Sequence, residues 1–151
     1  MAKKPPKDPE EIKEGRFAKA DVPDLTDVYE IAYQTIERLP PQFRPYTKSI
    51  IIRVENYPDD DMLESVNLIE RNDLLGLYKG IPLPQKGYKI PMTLPDVIYL
   101  FRCPLIRYAL ENEQDLPKLI EHVMIHEIAH HFGFDDTDID WIENGGGRNR
   151  D

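Results

Sequence analysis

Cysteine is nearly missing from these 151 residues: Cys103 stands alone, so no disulfide can form within the chain. That fits a reducing compartment, and the expectation is a cytoplasmic protein. No apolar run approaches the roughly 20 residues that a membrane-spanning helix needs, so no membrane association is expected. The lysines of the N-terminal MAKKPPKDPEEIKEG lead into no apolar stretch, and no secretory signal is read there. Positive charge is also scarce. Nineteen Lys and Arg face 28 Asp and Glu, for a formal net charge of −9. Binding phosphates needs clustered cations, which argues against nucleic acid as a principal partner. A 40% hydrophobic content supports one modest core, and hence a single domain without internal repeats.

What is present divides into a folded unit and two polar ends. Residues 1–21 are rich in charge and proline, with only Ile12 and Phe17 as large apolar residues. They read as a flexible tail, as does the closing GGGRNRD of residues 145–151. The domain is therefore expected over residues 22–144. Leu25, Val28, Ile31, Ala32, Ile36 and Leu39 recur at helical spacing until Pro40-Pro41 ends the run. SIIIRVENY, from Ser49 to Tyr57, is β-branched and bounded by prolines, which predicts a strand. A helical turn is expected from Met62 to Val66. LLGLYKGIPLPQKGYKIPM suggests a hairpin or an irregular strand pair. DVIYLFRCP, from Asp96 to Pro104, reads as a further strand that Pro104 either places at a sheet edge or ends. A second long helix opens near Pro117, runs through LIEHVMIHEIAHHFG and stops at Gly133, where a left-handed cap is easy. A short acidic helix, Asp138 to Glu143, closes the domain. The fold class is α+β.

The chemistry sits in that second helix, in the string His126-Glu127-Ile128-Ala129-His130. Histidines four apart project from one face of a helix, one turn apart, so both imidazoles can reach a single ion. Nitrogen ligands of this kind suit Zn2+. Glu127 follows the first ligand and points beside the ion, where a general base must stand to deprotonate an attacking water. The motif continues as HEIAHHFGFDD, matching HExxHxxGxxD. Gly133 lets the chain reverse, and Asp136 offers an oxygen ligand just past the turn. Asp135, Asp138, Asp140 and Glu143 compete with it for that role. His122 lies one turn before His126 and reads as a supporting or packing residue. A 122/126 site would put Val123 where the base must be. His131 points about 100° away from His130 and reads as structural.

IIRVENYPDDDML, LLGLYKGIPL, VIYLFRCPLI and HEIAHHFGFDD, in that order, resemble the small bacterial zincin-like metallopeptidases, over most of residues 22–144. The resemblance implies a minimal zincin-like domain: a small mixed sheet packed against an active-site helix bearing His126 and His130. It also implies Asp136 as third ligand and Glu127 as catalytic acid/base. Larger metzincins continue to a methionine turn. Here Met1, Met62, Met92 and Met124 all precede Asp136, so substrate rules do not transfer from them.

The function expected is hydrolysis of peptide bonds in peptides or unfolded proteins, with one Zn2+ per chain held by His126, His130 and Asp136. DVIYLFRCP is the candidate strand for aligning the substrate by β-augmentation. Tyr78, Tyr88, Tyr99 and Arg102 are candidates for stabilising the oxyanion. Two alternatives remain: a zinc-stabilised interaction module without catalysis, and hydrolysis of a non-peptide amide by the same machinery.

Overall fold

The computed structural model describes residues 22–80 and 96–134. Both expected tails, the second half of the proline- and glycine-rich stretch, and the helix expected at Asp138 to Glu143 lie outside them. Helix α1, Leu25–Glu37, opens on a reciprocal capping box. The Asp27 amide donates to Asp24 Oδ1 at 2.8 Å, and the Asp24 amide to Asp27 Oδ2 at 2.9 Å. Two orphan N–H groups at the helix start are thereby satisfied. A 3₁₀ turn at Pro41–Phe43 and the short α2, Arg44–Thr47, lead into β1, Ile51–Glu55. Helix α3, Asp60–Ser65, is capped by Asp59, whose Oδ1 accepts from the Met62 amide at 2.7 Å. After a 3₁₀ turn at Arg71–Asp73 come β2, Gly76–Lys79, and β3, Val97–Phe101. Helices α4, Arg102–Glu111, and α5, Leu116–His131, complete the described chain.

Among the described residues the sheet has three strands in the order β1-β3-β2. Strand β3 runs parallel to β1 and antiparallel to β2, pairing Ile52 with Ile98 on one side and Tyr78 with Ile98 on the other. This is the expected small mixed sheet with helices around it, and the α+β class holds. The position of β3 corrects the expectation for DVIYLFRCP. That strand is central: both of its ladders are occupied by neighbouring strands, so it cannot add a substrate strand. Its side chains show why. Ile98 and Leu100 enter the main core with Val28, Ala32, Leu119, Ile120, Val123 and Met124. Phe101 joins Met62, Leu63 and Leu74 in a second cluster, with Tyr99 packed against it. A strand apolar on both faces belongs inside a sheet. Of the two readings of Pro104 the strand end holds: β3 stops at Phe101 and the proline sits in the first turn of α4, where a missing N–H removes no helical bond. Among the described residues the sheet edge next to α5 is β2, which packs against that helix and pairs with β3 alone.

Two contacts set the distance between β2 and α5. A Cβ on Gly76 would stand 2.6 Å from Val123 Cγ1 and 3.2 Å from the Tyr99 carbonyl oxygen, so only a residue without a side chain permits this approach. At the other end of α5, His131 is fully buried. Its Nε2 donates to the Tyr46 carbonyl at 2.7 Å, which leaves Nδ1 facing the Tyr78 hydroxyl at 3.1 Å and Asp96 Oδ2 at 3.3 Å. Burial, then the negative charge of Asp96 and a hydrogen bond to it, push the Tyr78 hydroxyl well above the ordinary tyrosine range.

Gly76→Ala should destabilise the protein by about 1–3 kcal/mol through overpacking, and Val123→Ala in the same chain should recover part of that loss. Urea unfolding of the two single variants and the double variant measures the coupling; strictly additive costs would mean that the two residues do not constrain each other. The tyrosine in the unfolded chain ionises near pH 10, whereas native Tyr78 keeps its proton, so stability should fall as pH rises through about 10. Tyr78→Phe should flatten that fall, read as urea midpoints from about pH 9 to 11.

Candidate active site

Helix α5 owes its register to its ends. Asp115 Oδ2 caps the Lys118 amide at 3.3 Å, Pro117 occupies the first turn, and Gly133 follows the helix at φ 94°. Between them Leu116, Leu119, Ile120, Val123, Met124, Glu127, Ile128 and His131 form the buried stripe. One position around the helix, His126 and His130 are only partly buried. Their ring centroids lie 5.0 Å apart with planes at 74°, edge to face and one turn apart on a single face. Glu127 falls on the core side of this pair, at 7% exposure. The arrangement is two imidazoles with a sheltered carboxylate beside them.

Of the pair, His126 lines a cavity of about 660 Å³ between β2 and α5. Leu75, Gly76, Tyr108, Leu119 and Val123 supply its apolar wall, and Lys118, His122, His126 and Glu127 its charged or ionisable one. A pocket of this kind, mostly apolar with a few convergent polar groups, is where a ligand binds. The donor set fits zinc: imidazole nitrogens are among its preferred ligands, and histidine spacing of one helical turn directs two of them to one place. Among the described residues no third His, Cys, Asp or Glu completes a metal-binding group. Asp136, the residue expected to do so, lies outside the described residues, as do Asp135, Asp138, Asp140, Glu143 and Tyr88.

The other singled-out side chains fall in different places. His122 is exposed, one turn before His126, and lines the same cavity. Tyr99 stacks on Phe101 at 6.3 Å between centroids. Arg102 is buried, with Nε donating to the Pro23 carbonyl and Nη1 3.4 Å from Asn56 Oδ1, so it ties down the chain ahead of α1. Tyr78 belongs to the His131 cluster. Cys103 is 1% exposed, and burial pushes its thiol up against the opposing effects of Tyr57, Arg102 and Arg71, which keeps it protonated and not a nucleophile. Sequence reasoning missed Gly76, Asp96, Tyr108 and Lys118. Of these only Gly76 carried a signal, as a glycine inside an apolar strand pattern, which marks a close approach.

No helix among the described residues is long and apolar enough to cross a membrane. A sequence model of the zincin-like metallopeptidase family matches residues 47–146, a stretch that holds the whole sheet, the cavity, the histidine pair and Asp136. A comparison with curated proteins finds no significant match. With two thirds of its length matched and the family's HExxH helix facing a cavity at the edge of a small mixed sheet, this chain belongs to the zincin-like metallopeptidase family.

Proposed function

We propose that the protein is a zinc-dependent peptidase acting on peptides or unfolded chains, with one zinc per chain held by His126, His130 and Asp136. The observation that carries this reading is the placement of Glu127. A carboxylate sheltered at the base of a histidine pair and lining the adjoining cavity suits a proton-transferring group. A site that held metal only for stability has no use for it. Zinc, when bound, supplies Lewis acidity that polarises the scissile carbonyl and acidifies the attacking water.

The chain's own residues do the rest. Glu127 accepts a proton as the water oxygen bonds to the carbonyl carbon. It returns that proton to the amide nitrogen as the C–N bond breaks, leaving a carboxyl group and an amine. The outer edge of β2 offers N–H and C=O groups of Gly76–Lys79 for antiparallel or parallel addition of an extended substrate. Because the backbone of β2 at Gly76 lies against the Val123 side chain of α5, a peptide on that edge would run beside the histidine-bearing helix. The cavity walls lower the local dielectric, which strengthens the proton transfer's electrostatics.

Elemental analysis of protein purified without a metal-affinity tag should find one zinc per wild-type chain, lost in His126→Ala and His130→Ala and reduced in Asp136→Ala. Glu127→Ala should keep its zinc while cleavage of a peptide library falls by about 10²–10⁴-fold. Zinc binding with no cleavage by the wild type would favour the interaction-module reading. Absence of zinc after it is supplied would overturn both.

A further inference from the structure

We propose that the protein has a second binding site, a groove along the outer edge of β1 that takes an extended, acidic segment of a partner protein as an added strand. The groove lies at the sheet edge opposite β2 and does not depend on the peptidase reading. Among the described residues β1 pairs with β3 alone. The Ile51 amide donates to the Asp96 carbonyl at 2.8 Å. In a parallel ladder alternate residues bond the same neighbour. Ile51, Arg53 and Glu55 therefore turn their backbone groups to β3, and Ile52 and Val54 turn theirs outward.

The wall beside that edge is apolar. Helix α1 buries Val28, Ala32 and Thr35, yet its apolar surface continues into Tyr29 and Tyr33, which are 43% and 49% exposed. Their rings stack with centroids 6.3 Å apart. With Ile36, Ile50, Ile51 and Ile52 they line a cavity of about 690 Å³ between α1, α2 and β1. A strand hydrogen-bonded to Ile52 would lay alternate side chains against this wall.

Charge names the occupant. From Arg38 to Arg53 the chain carries Arg38, Arg44, Lys48 and Arg53 and no acidic residue, in a protein of net charge −9. All four are exposed, and among the described residues none of them forms an ion pair. Arg44 and Lys48 line the groove, and Arg44 Nη2 lies 3.4 Å from the Glu37 carbonyl oxygen. Glu37 is the one carboxylate in the lining, and the four cations in and around the groove outnumber it. Glu55 stands at the other end of β1, so the positive end of the groove is the one beside α2. Acidic side chains of the partner belong at that end, with apolar ones against the tyrosines. The outward N–H and C=O groups of β1 match a polypeptide backbone and offer nothing comparable to a nucleic acid.

The test uses full-length Glu127→Ala, so that the peptides stay whole whether or not the peptidase reading holds. Fluorescein-labelled peptides of alternating Thr and Val carry a cluster of Glu, or of Gln, at one end or the other. Fluorescence anisotropy should give a Kd about five- to tenfold tighter for Glu than for Gln in one of the two orientations. The preference should shrink as salt is raised. Arg44→Glu with Lys48→Glu should abolish or invert it, and Arg44→Lys with Lys48→Arg should keep it. Tyr33→Ser should weaken both peptides about threefold and leave the preference in place. N-methylation of alternate amides of the Glu peptide should abolish binding for one alternate set and spare the other, because only one set faces β1. Equal affinity for Glu and Gln, a preference unmoved in the Arg44→Glu, Lys48→Glu variant, tolerance of both methylated sets, or no binding of any peptide overturns the proposal. Tighter capture of a short oligo-dT than of every peptide would assign the patch to nucleic acid and overturn it as well.

Discussion

The buried imidazole of His131 holds the last turn of α5 against three other segments at once: the Tyr46 carbonyl in α2, the Tyr78 hydroxyl in β2 and the Asp96 carboxylate ahead of β3. It fixes the rotation of α5 about its own axis, and with it the direction in which His126 and His130 face. A polar group buried without partners costs about 1–3 kcal/mol, and here several groups satisfy each other through one ring. The arrangement therefore tolerates little rotation, because turning the helix would orphan all of them together.

The second constraint acts from the opposite end. At Gly76 the backbone of β2 lies against Val123, while at Leu75, Tyr108 and Leu119 the surfaces diverge into the cavity. Tight contact at one level and open space at the next give a strand edge beside the histidine pair without closing the site. Helical periodicity puts Glu127 on the same stripe as Val123, Met124 and His131, a charged group among side chains that are mostly apolar.

The active-site helix was legible because its determinants are local. A capping Asp115, Pro117 in the first turn, an apolar stripe and Gly133 at positive φ each act within a few residues. The histidine pair followed from the period of the helix alone. Strand β3 was legible as a strand but not as the central one, since the choice of pairing partner is made between segments far apart in sequence. Pro104 left two choices open, an edge or a strand end, and the second holds: the strand stops at Phe101 and the proline falls in the first turn of α4. The partners of His131 carried no local signal at all: Tyr46, Tyr78 and Asp96 are separated from it by long stretches of chain and meet only when β2, β3 and α5 have packed.

By itself, then, the sequence determined the helix that carries His126 and His130 and their place on one face of it, because that spacing depends on the pitch of one helix. The tertiary structure decided what that helix faces. Strand order, the edge offered by β2, the glycine-limited approach at Gly76 and the cavity running toward Lys118 all come from contacts between distant segments. Such contacts are selected by burial and hydrogen-bond satisfaction over the whole molecule, and a local pattern at most marks one of them, as the glycine at position 76 does.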